Sequence, residues 1–395
     1  MTSSDFTGIC RERLLSWRAW WCKHFVFAPR WVVVVLVLVT SLRVILCVLP
    51  PLDTTDLCRH LGFTIHFFDD PKAFYWLTPS RFGGEFWSRN WPDTVYIYPP
   101  LTLIFFAIFG KLGAGFFWVK LALTLCDLLA ALLVGRAICW IAAMLIYAAP
   151  ASIWYTSHEG QYEGLVTLLL VVAVLSAKEG SWRKAGIAFM LSLQSKQLAI
   201  FIAPYLLLEI FLNRSGTRLR SVAKLLTGMA LAALPFVPFY MWRHDLWLLP
   251  LQGQMKGFNP FFWPLLWNHE AMTAHFGEHP QIVWNTLCST LPIVLLLLFL
   301  VSRDFWKRLP QALPTLGFYS LVKSLKWAMY WYFGMVPGFA LTLWRHRGVM
   351  LLLLTINWFV YKDVLNVTRY DIGHQDPAGK EYFRKCIWTF HAKDQ

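Results

Sequence analysis

Two acidic residues stand directly behind the first long apolar run of the chain. The stretch PPLDTTDLCRH, residues 50–60, carries Asp53 and Asp56. On a helix the two share a face at i, i+3. A carboxylate this close to a membrane edge can take a proton from a hydroxyl while the lipid tail of a reactant stays in the bilayer. Asp56 is the first candidate base and Asp53 the second, although Asp53 can equally cap a helix N-terminus. A second polar cluster, SHEGQYEG at residues 157–164, packs His158, Glu159, Gln161 and Glu163 into one short turn. That is more polarity than a link requires. Glu163 is its candidate catalytic group, and His158 and Gln161 could hydrogen-bond hydroxyls.

Cations follow at three places. Lys196 lies in LQSKQLAIFIAP, Lys256 in QMKGFNPFFWPLLW, and Lys326 in SLVKSLKWAMYWYFGMVP ahead of Tyr330 and Tyr332. A lysine between apolar helices, at the depth of lipid phosphates, is placed to bind a phosphate. Aromatic rings beside it suit a sugar ring. Snorkelling lysines and an interfacial aromatic belt would leave the same pattern. His275 and His279 have the i, i+4 spacing of zinc ligands. Gly277 and Pro280 argue against a helix there, so no metal site is expected. No cofactor is called for, and a divalent metal stays open. The eight cysteines form no CxxC pair and no disulfide framework.

The elements that must position these residues are membrane helices. The chain has 395 residues, 57% of them hydrophobic and only 15% charged. That is too little charge to wet several soluble globules. The expected class is an all-α polytopic membrane protein of about eleven spans. Clear spans are expected at 31–49, 116–134, 137–153, 162–177, 221–241, 283–301 and 349–365. Less clean ones fall at 185–194, 197–212, 309–321 and 327–343. A short apolar run at 98–110 is read as part of a long outer loop that dips into the membrane edge.

Charge sets the orientation. With a cytoplasmic N-terminus, five short inner loops hold thirteen Lys and Arg, whereas the outer segments 50–115, 154–161 and 242–282 hold seven. The net charge of +14 therefore reflects inner loops rather than a nucleic-acid partner. Residues 1–365 form one transmembrane domain with large outer loops at 50–115 and 242–282, and 366–395 form an outer tail. Asp127 is the one carboxylate near the middle of a span and is read as a polar contact between helices. Arg43 and Lys120 are expected to snorkel toward the outer surface. The halves show no internal repeat of the kind many transporters carry.

Taken in order, these features resemble the GT-C superfamily of membrane glycosyltransferases. The resemblance rests on Asp53 and Asp56, YPPL at 98–101, and FGK…WVKLALTLCDLLAALL from Phe109 to Leu133. Glu163, Lys196 with Pro204, KGFNPFF at 256–262 and MYWYFGMVP at 329–337 continue it. Within that group the chain looks most like the dolichol-phosphate-mannose-dependent first mannosyltransferase of GPI-anchor synthesis and the related bacterial GT87-type enzymes. That enzyme has an acid-x-acid pair followed by an aromatic. Here two residues separate the acids and Leu57 follows.

The resemblance implies an inverting transfer of a sugar, most simply mannose, from a polyprenyl or dolichyl phosphate to an acceptor hydroxyl on the lumenal or periplasmic face. Asp56, Asp53 and Glu163 are then the candidate catalytic groups. Lys196, Lys256 and Lys326 would hold the donor phosphate, and His158, Gln161, Tyr330 and Tyr332 the sugar or acceptor. The acceptor would be a glycolipid, glycan or protein. The membrane would be that of the ER in a eukaryote and the inner or plasma membrane in a bacterium. The competing readings are a multi-pass lipid or solute transporter and a non-catalytic subunit of a glycosylation complex.

Overall fold

The computed structural model describes residues 28–51, 54–78, 95–212, 217–249, 280–301, 304–324, 330–359 and 386–389. Among them the chain is all-helical, with no strand beyond one isolated bridge between Ala114 and Thr389. Helix α1 is Arg30–Val48 and α2 is Thr54–Thr64. Then come α3 Pro100–Lys111, α4 Phe116–Ala137 and α5 Trp140–Tyr147. Helices α6 Glu163–Lys178, α7 Trp182–Ser195 and α8 Ala203–Leu212 follow. Next is α9 Arg218–Ala233, which runs through a 3-10 turn into α10 Val237–Trp242. The last four are α11 Pro280–Val301, α12 Phe305–Ser324, α13 Val336–Ala340 and α14 Arg347–Trp358.

Among the described residues three helices are long and apolar enough to cross a membrane: α1, α4 and the continuous stretch Arg218–Trp242. Valine-rich α1 has poor intrinsic helix propensity. In a bilayer only a helix closes its own backbone hydrogen bonds, so the run is helical anyway. Its buried residues are just Val32, Arg43 and Cys47, which leaves most of its surface to lipid.

The expected span 137–153 is not one helix. It breaks after α5, restarts at Pro150–Ser152 and continues as a π-helical turn, Ile153–His158. Proline at 150 cannot donate into the preceding turn, so the break falls just before it. The expected span 327–343 is likewise a series of short pieces, Tyr330–Met335, α13 and Leu341–Leu343. The apolar run at 98–110 forms α3, which is too short for a span of about 20 residues.

Helices α7 and α9 cross at their glycines. A Cβ on Gly186 would overlap the Leu225 carbonyl, and one on Gly228 would overlap the Arg183 carbonyl. Small residues here let the two backbones touch, the usual device where lipid supplies no hydrophobic drive.

Two further joins involve the first long loop and the chain near its C-terminus. An aromatic core of Phe63, Phe74, Tyr75, Tyr96, Phe236 and Phe239 packs the described part of the first long loop against the end of α10. Arg243 clamps that join. Its guanidinium lies 4.1 Å from the Trp76 ring, donates to the Tyr75 carbonyl and meets Asp245 at 2.9 Å. The start of α4 is capped by distant backbone. Gly115, Phe116 and Phe117 donate their N–H groups to the carbonyls of Trp388, Cys386 and Ile387 at 2.9–3.0 Å. Those groups have no partner within a helix. The chain near its C-terminus therefore lies on the same side of α4 as the end of the first loop.

Candidate active site

The segment 95–99 before α3 has no regular secondary structure and ends at an extended Pro99. Pro99 precedes the helix and Pro100 occupies its first turn, where the missing N–H costs nothing. Tyr96 and Tyr98 both reach His60 on α2. The Tyr96 hydroxyl and His60 Nδ1 form a hydrogen bond at 3.0 Å. The Tyr98 ring lies 4.3 Å from the imidazole, and Phe106 of α3 stacks on it at 4.2 Å. Tyr162 meets its edge at 5.4 Å. Burial holds the Tyr75 phenol well above its ordinary range. It therefore stays a donor, to the Tyr98 carbonyl at 3.0 Å.

Tyr162 leads from this cage to the charged centre. Lys196 leaves the end of α7 in an extended conformation, with φ −156° and ψ 127°. Its Nζ pairs with Glu163 Oε1, the first residue of α6, and both side chains are buried. The same nitrogen lies 4.2 Å from the Tyr332 ring and 4.9 Å from the Tyr162 ring. Two aromatic faces stabilise a cation more strongly where water is excluded. Local bonds fix each contributor. Thr102 of α3 donates to the Ser195 carbonyl at 2.8 Å, beside Lys196. Thr167 of α6 donates to the Gly334 carbonyl at 2.9 Å and ties down the turn that carries Tyr332.

The turn between the π-helical segment and α6 is packed rather than loose. His158 stacks on Trp154 at 4.2 Å and its Nδ1 lies 2.8 Å from Glu159 Oε1. Gln161 is buried beside them. Gly160 has φ +72°, and a Cβ there would press on Leu57 of α2. The helix that carries Asp56 therefore rests against this turn.

The structure thus brings Glu163, Lys196 and Tyr332 together, with His158 and Gln161 on the adjoining turn. Asp56 lies in the first turn of α2, and Tyr330 begins the turn Tyr330–Met335. Their side chains are not among those described. Asp53, Lys256 and Lys326 lie outside the described residues, as do His275 and His279. Among the described residues no group of three metal-ligating side chains occurs.

Two expectations are corrected. Arg43 and Lys120 do not snorkel, because both are buried. Arg43 pairs with Asp127 at 3.0 Å, and Lys120 donates to the Leu49 carbonyl at 2.7 Å, closing the end of α1. An inward partner outcompetes water for each. The sequence reading also missed His60 and its tyrosines as a unit. The available signal was the Tyr-x-Tyr-Pro-Pro spacing, which sets two rings directly before a helix start.

No curated protein and no solved structure matches the chain. Residues 96–273 match the model of Glycosyltransferase family 87. The matched part holds Tyr96, Asp127, Glu163 and Lys196, and leaves out Asp53, Asp56, Tyr330 and Tyr332. Over less than half of its length, then, this chain is similar to that family, and the similarity supports a membrane glycosyltransferase of the GT-C type.

Proposed function

We propose that the chain is an inverting glycosyltransferase that moves a hexose, mannose in its most specific form, from a polyprenyl or dolichyl phosphate to an acceptor hydroxyl. The reaction takes place at the lumenal or periplasmic face. The observation that carries this reading is the buried Lys196–Glu163 pair between two tyrosine rings, within the stretch similar to the glycosyltransferase family.

In this reading the acceptor hydroxyl gives its proton to Asp56 as its oxygen attacks the anomeric carbon. The bond from that carbon to the phosphate oxygen breaks on the opposite face, and the lipid phosphate leaves with the electron pair. General-base help is worth about 10² to 10⁴ in rate. Lys196 has three N–H donors. Its positive charge, held beside Glu163, can face the departing phosphate, where fixed cations stabilise developing charge. Glu163 lowers the net charge of that seat, so Lys256 and Lys326 are assigned to complete it. Tyr332, Tyr330, His158 and Gln161 hold the sugar or the acceptor, and Asp53 is the alternative base. The acceptor is a glycolipid, a glycan or a protein.

The test is to incubate the purified protein with a panel of polyprenyl-phosphate sugars and acceptor lipids. Consumption of one donor, with release of lipid phosphate, is the expected result. No consumption with any member, by protein that is folded, defeats the reading.

One observation favours a transporter as the second reading. The sequence suggested no paired ions within the membrane, yet Arg43 and Asp127 form such a pair between α1 and α4. Intramembrane charges often mark an ion path. This pair is locked by hydrogen bonds on several sides rather than lining a channel. Proteoliposome flux that depends on Asp127, without sugar transfer, would favour transport instead.

A further inference from the structure

Arg43 is wholly buried and makes five hydrogen bonds through its three guanidinium nitrogens. Nη1 donates to Asp127 Oδ2 and to Ser157 Oγ, each at 3.0 Å. Nη2 donates to Ser152 Oγ at 2.7 Å and to the Tyr147 carbonyl at 2.6 Å, which Nε also reaches at 3.1 Å. The Ser152 hydroxyl donates to Asp127 Oδ2 at 2.6 Å, and the hydroxyls of Thr124 and Ser157 lie 2.9 Å apart. An isolated charge at this depth is costly, so a pair so fully satisfied invites a function.

Apart from the one to Asp127, the contacts fall on one segment. Tyr147 is the end of α5, Ser152 follows the break, and Ser157 lies in the π-helical turn. π-Helical turns are rare and cluster at functional sites. This one leads straight into His158, Gln161 and Glu163. Just past it, the Glu159 N–H reaches back five residues to the Trp154 carbonyl at 3.0 Å, and the Gln161 N–H reaches back six to the Tyr155 carbonyl at 2.8 Å. Asp127 also touches the far end of the turn. A Cβ on Gly164, the residue after Glu163, would lie 2.8 Å from Asp127 Oδ1. One ion pair therefore grips the turn from before and behind.

We propose that Arg43, with Asp127 as its counter-ion, is a positioning residue that sets the geometry of the turn 158–163 on which sugar transfer depends. The inference rests on the reading of that turn as part of the transfer site. Neither residue touches substrate. They act by holding Glu163 and its neighbours where the reacting atoms require them. A misplacement of about 1 Å can cost on the order of 10²-fold in rate.

Arg43→Lys keeps a cation opposite Asp127 but cannot make five bonds from one nitrogen. It should fold, with a thermal transition close to that of the wild type in detergent. Turnover should fall at least about tenfold with the donor KM within about threefold, because orientation rather than binding is lost. Hydrogen exchange should speed up in peptides covering 153–163 and stay unchanged in α12. Ser157→Ala, which unpairs no charge, should move exchange and turnover the same way by less, and it decides the matter if Arg43→Lys does not fold. The double variant Arg43→Met with Asp127→Leu replaces the pair by apolar bulk, which commonly preserves stability. Recovered stability with turnover still low supports positioning. Recovered turnover overturns it, as does unchanged exchange or normal turnover in folded Arg43→Lys or Ser157→Ala. If the wild-type protein consumes no donor, the transfer reading fails. Exchange at 153–163 then still decides whether the ion pair governs the turn.

Discussion

Two carboxylate–cation pairs flank the segment from Lys196 to Glu209, and they differ in kind. At one end Lys196 and Glu163 are both buried, and the cation lies between the rings of Tyr162 and Tyr332. At the other end Arg345 binds Glu209 through both guanidinium nitrogens, with one distance of 3.0 Å, and its side chain is 39% exposed. There Trp344 lies under the guanidinium at 4.7 Å and donates its Nε1–H to the Tyr205 hydroxyl at 3.2 Å. The arginine fork is geometrically complete and satisfies the acid. The lysine is a point charge between two aromatic rings, set where water is scarce. The arginine pair is a clamp, and the lysine pair is a buried cation that a ligand anion could approach. Coulombic strength alone would have ranked them alike.

The largest effect is expected from breaking the buried pair. Lys196→Ala leaves Glu163 buried without its cation, which costs roughly 3–5 kcal/mol. Donor turnover should collapse with it, and Lys196→Arg should be better tolerated. Adding Glu163→Gln to Lys196→Ala should restore much of the thermal stability but not the turnover. Recovery of both would make this pair a clamp like the other.

Next in size is the base itself. Asp56→Asn keeps shape but takes no proton at neutral pH, so turnover should drop by at least about 100-fold with the fold intact. Asp53→Asn should cost much less. Near-normal turnover in Asp56→Asn, with loss in Asp53→Asn or Glu163→Gln, would move the chemistry to another acid and leave the pair comparison standing.

A smaller effect is expected at the exposed end. Arg345→Ala removes two charged hydrogen bonds from buried Glu209. It should lower stability by about 1.5–3 kcal/mol, toward the low end because solvent reaches the arginine. Turnover per folded molecule should not change. A specific loss of turnover would show that the clamp and the site are coupled.

The elements and buried charges of this molecule were unequally legible in the sequence. Helices α1 and α4 follow from long, mostly apolar runs, since a bilayer admits little else. The break between α5 and the π-helical turn was hidden because apolar composition reports depth and not continuity, although Pro150 marked the spot. Lys196 and Glu163 were each visible as candidates. Their pairing was not, since they lie 33 residues apart on different helices. Arg43 and Asp127 were hidden more deeply, 84 residues apart. A charge near the end of a span reads as snorkelling unless its partner is known. The bulk of the His60 cage depends on ring packing across three elements, and single-residue chemistry does not encode it.

The smallest expected effect is a pH dependence confined to the exposed end. His346 follows Arg345, and its imidazole packs edge-on against Phe299 at 4.8 Å. Burial first, then the positive charges of Arg308 and Arg345, hold its pKa below the ordinary 6.5. Because the folded-state value is depressed, the unfolded chain takes the proton first as the pH falls. The contribution of His346 is therefore fully present above pH 6.5 and declines below it, until the folded state also protonates. Asp245 is depressed by the Arg243 hydrogen bond and shifts stability in the same direction, but only below its ordinary 3.8. Thermal unfolding in detergent between pH 7.5 and 5 should show a shallow loss of stability that His346→Gln removes. Arg345→Ala should reduce the same slope, because it takes away one of the charges that depress the imidazole. A slope that survives His346→Gln would place the titrating group elsewhere and remove the pH mark from the clamp.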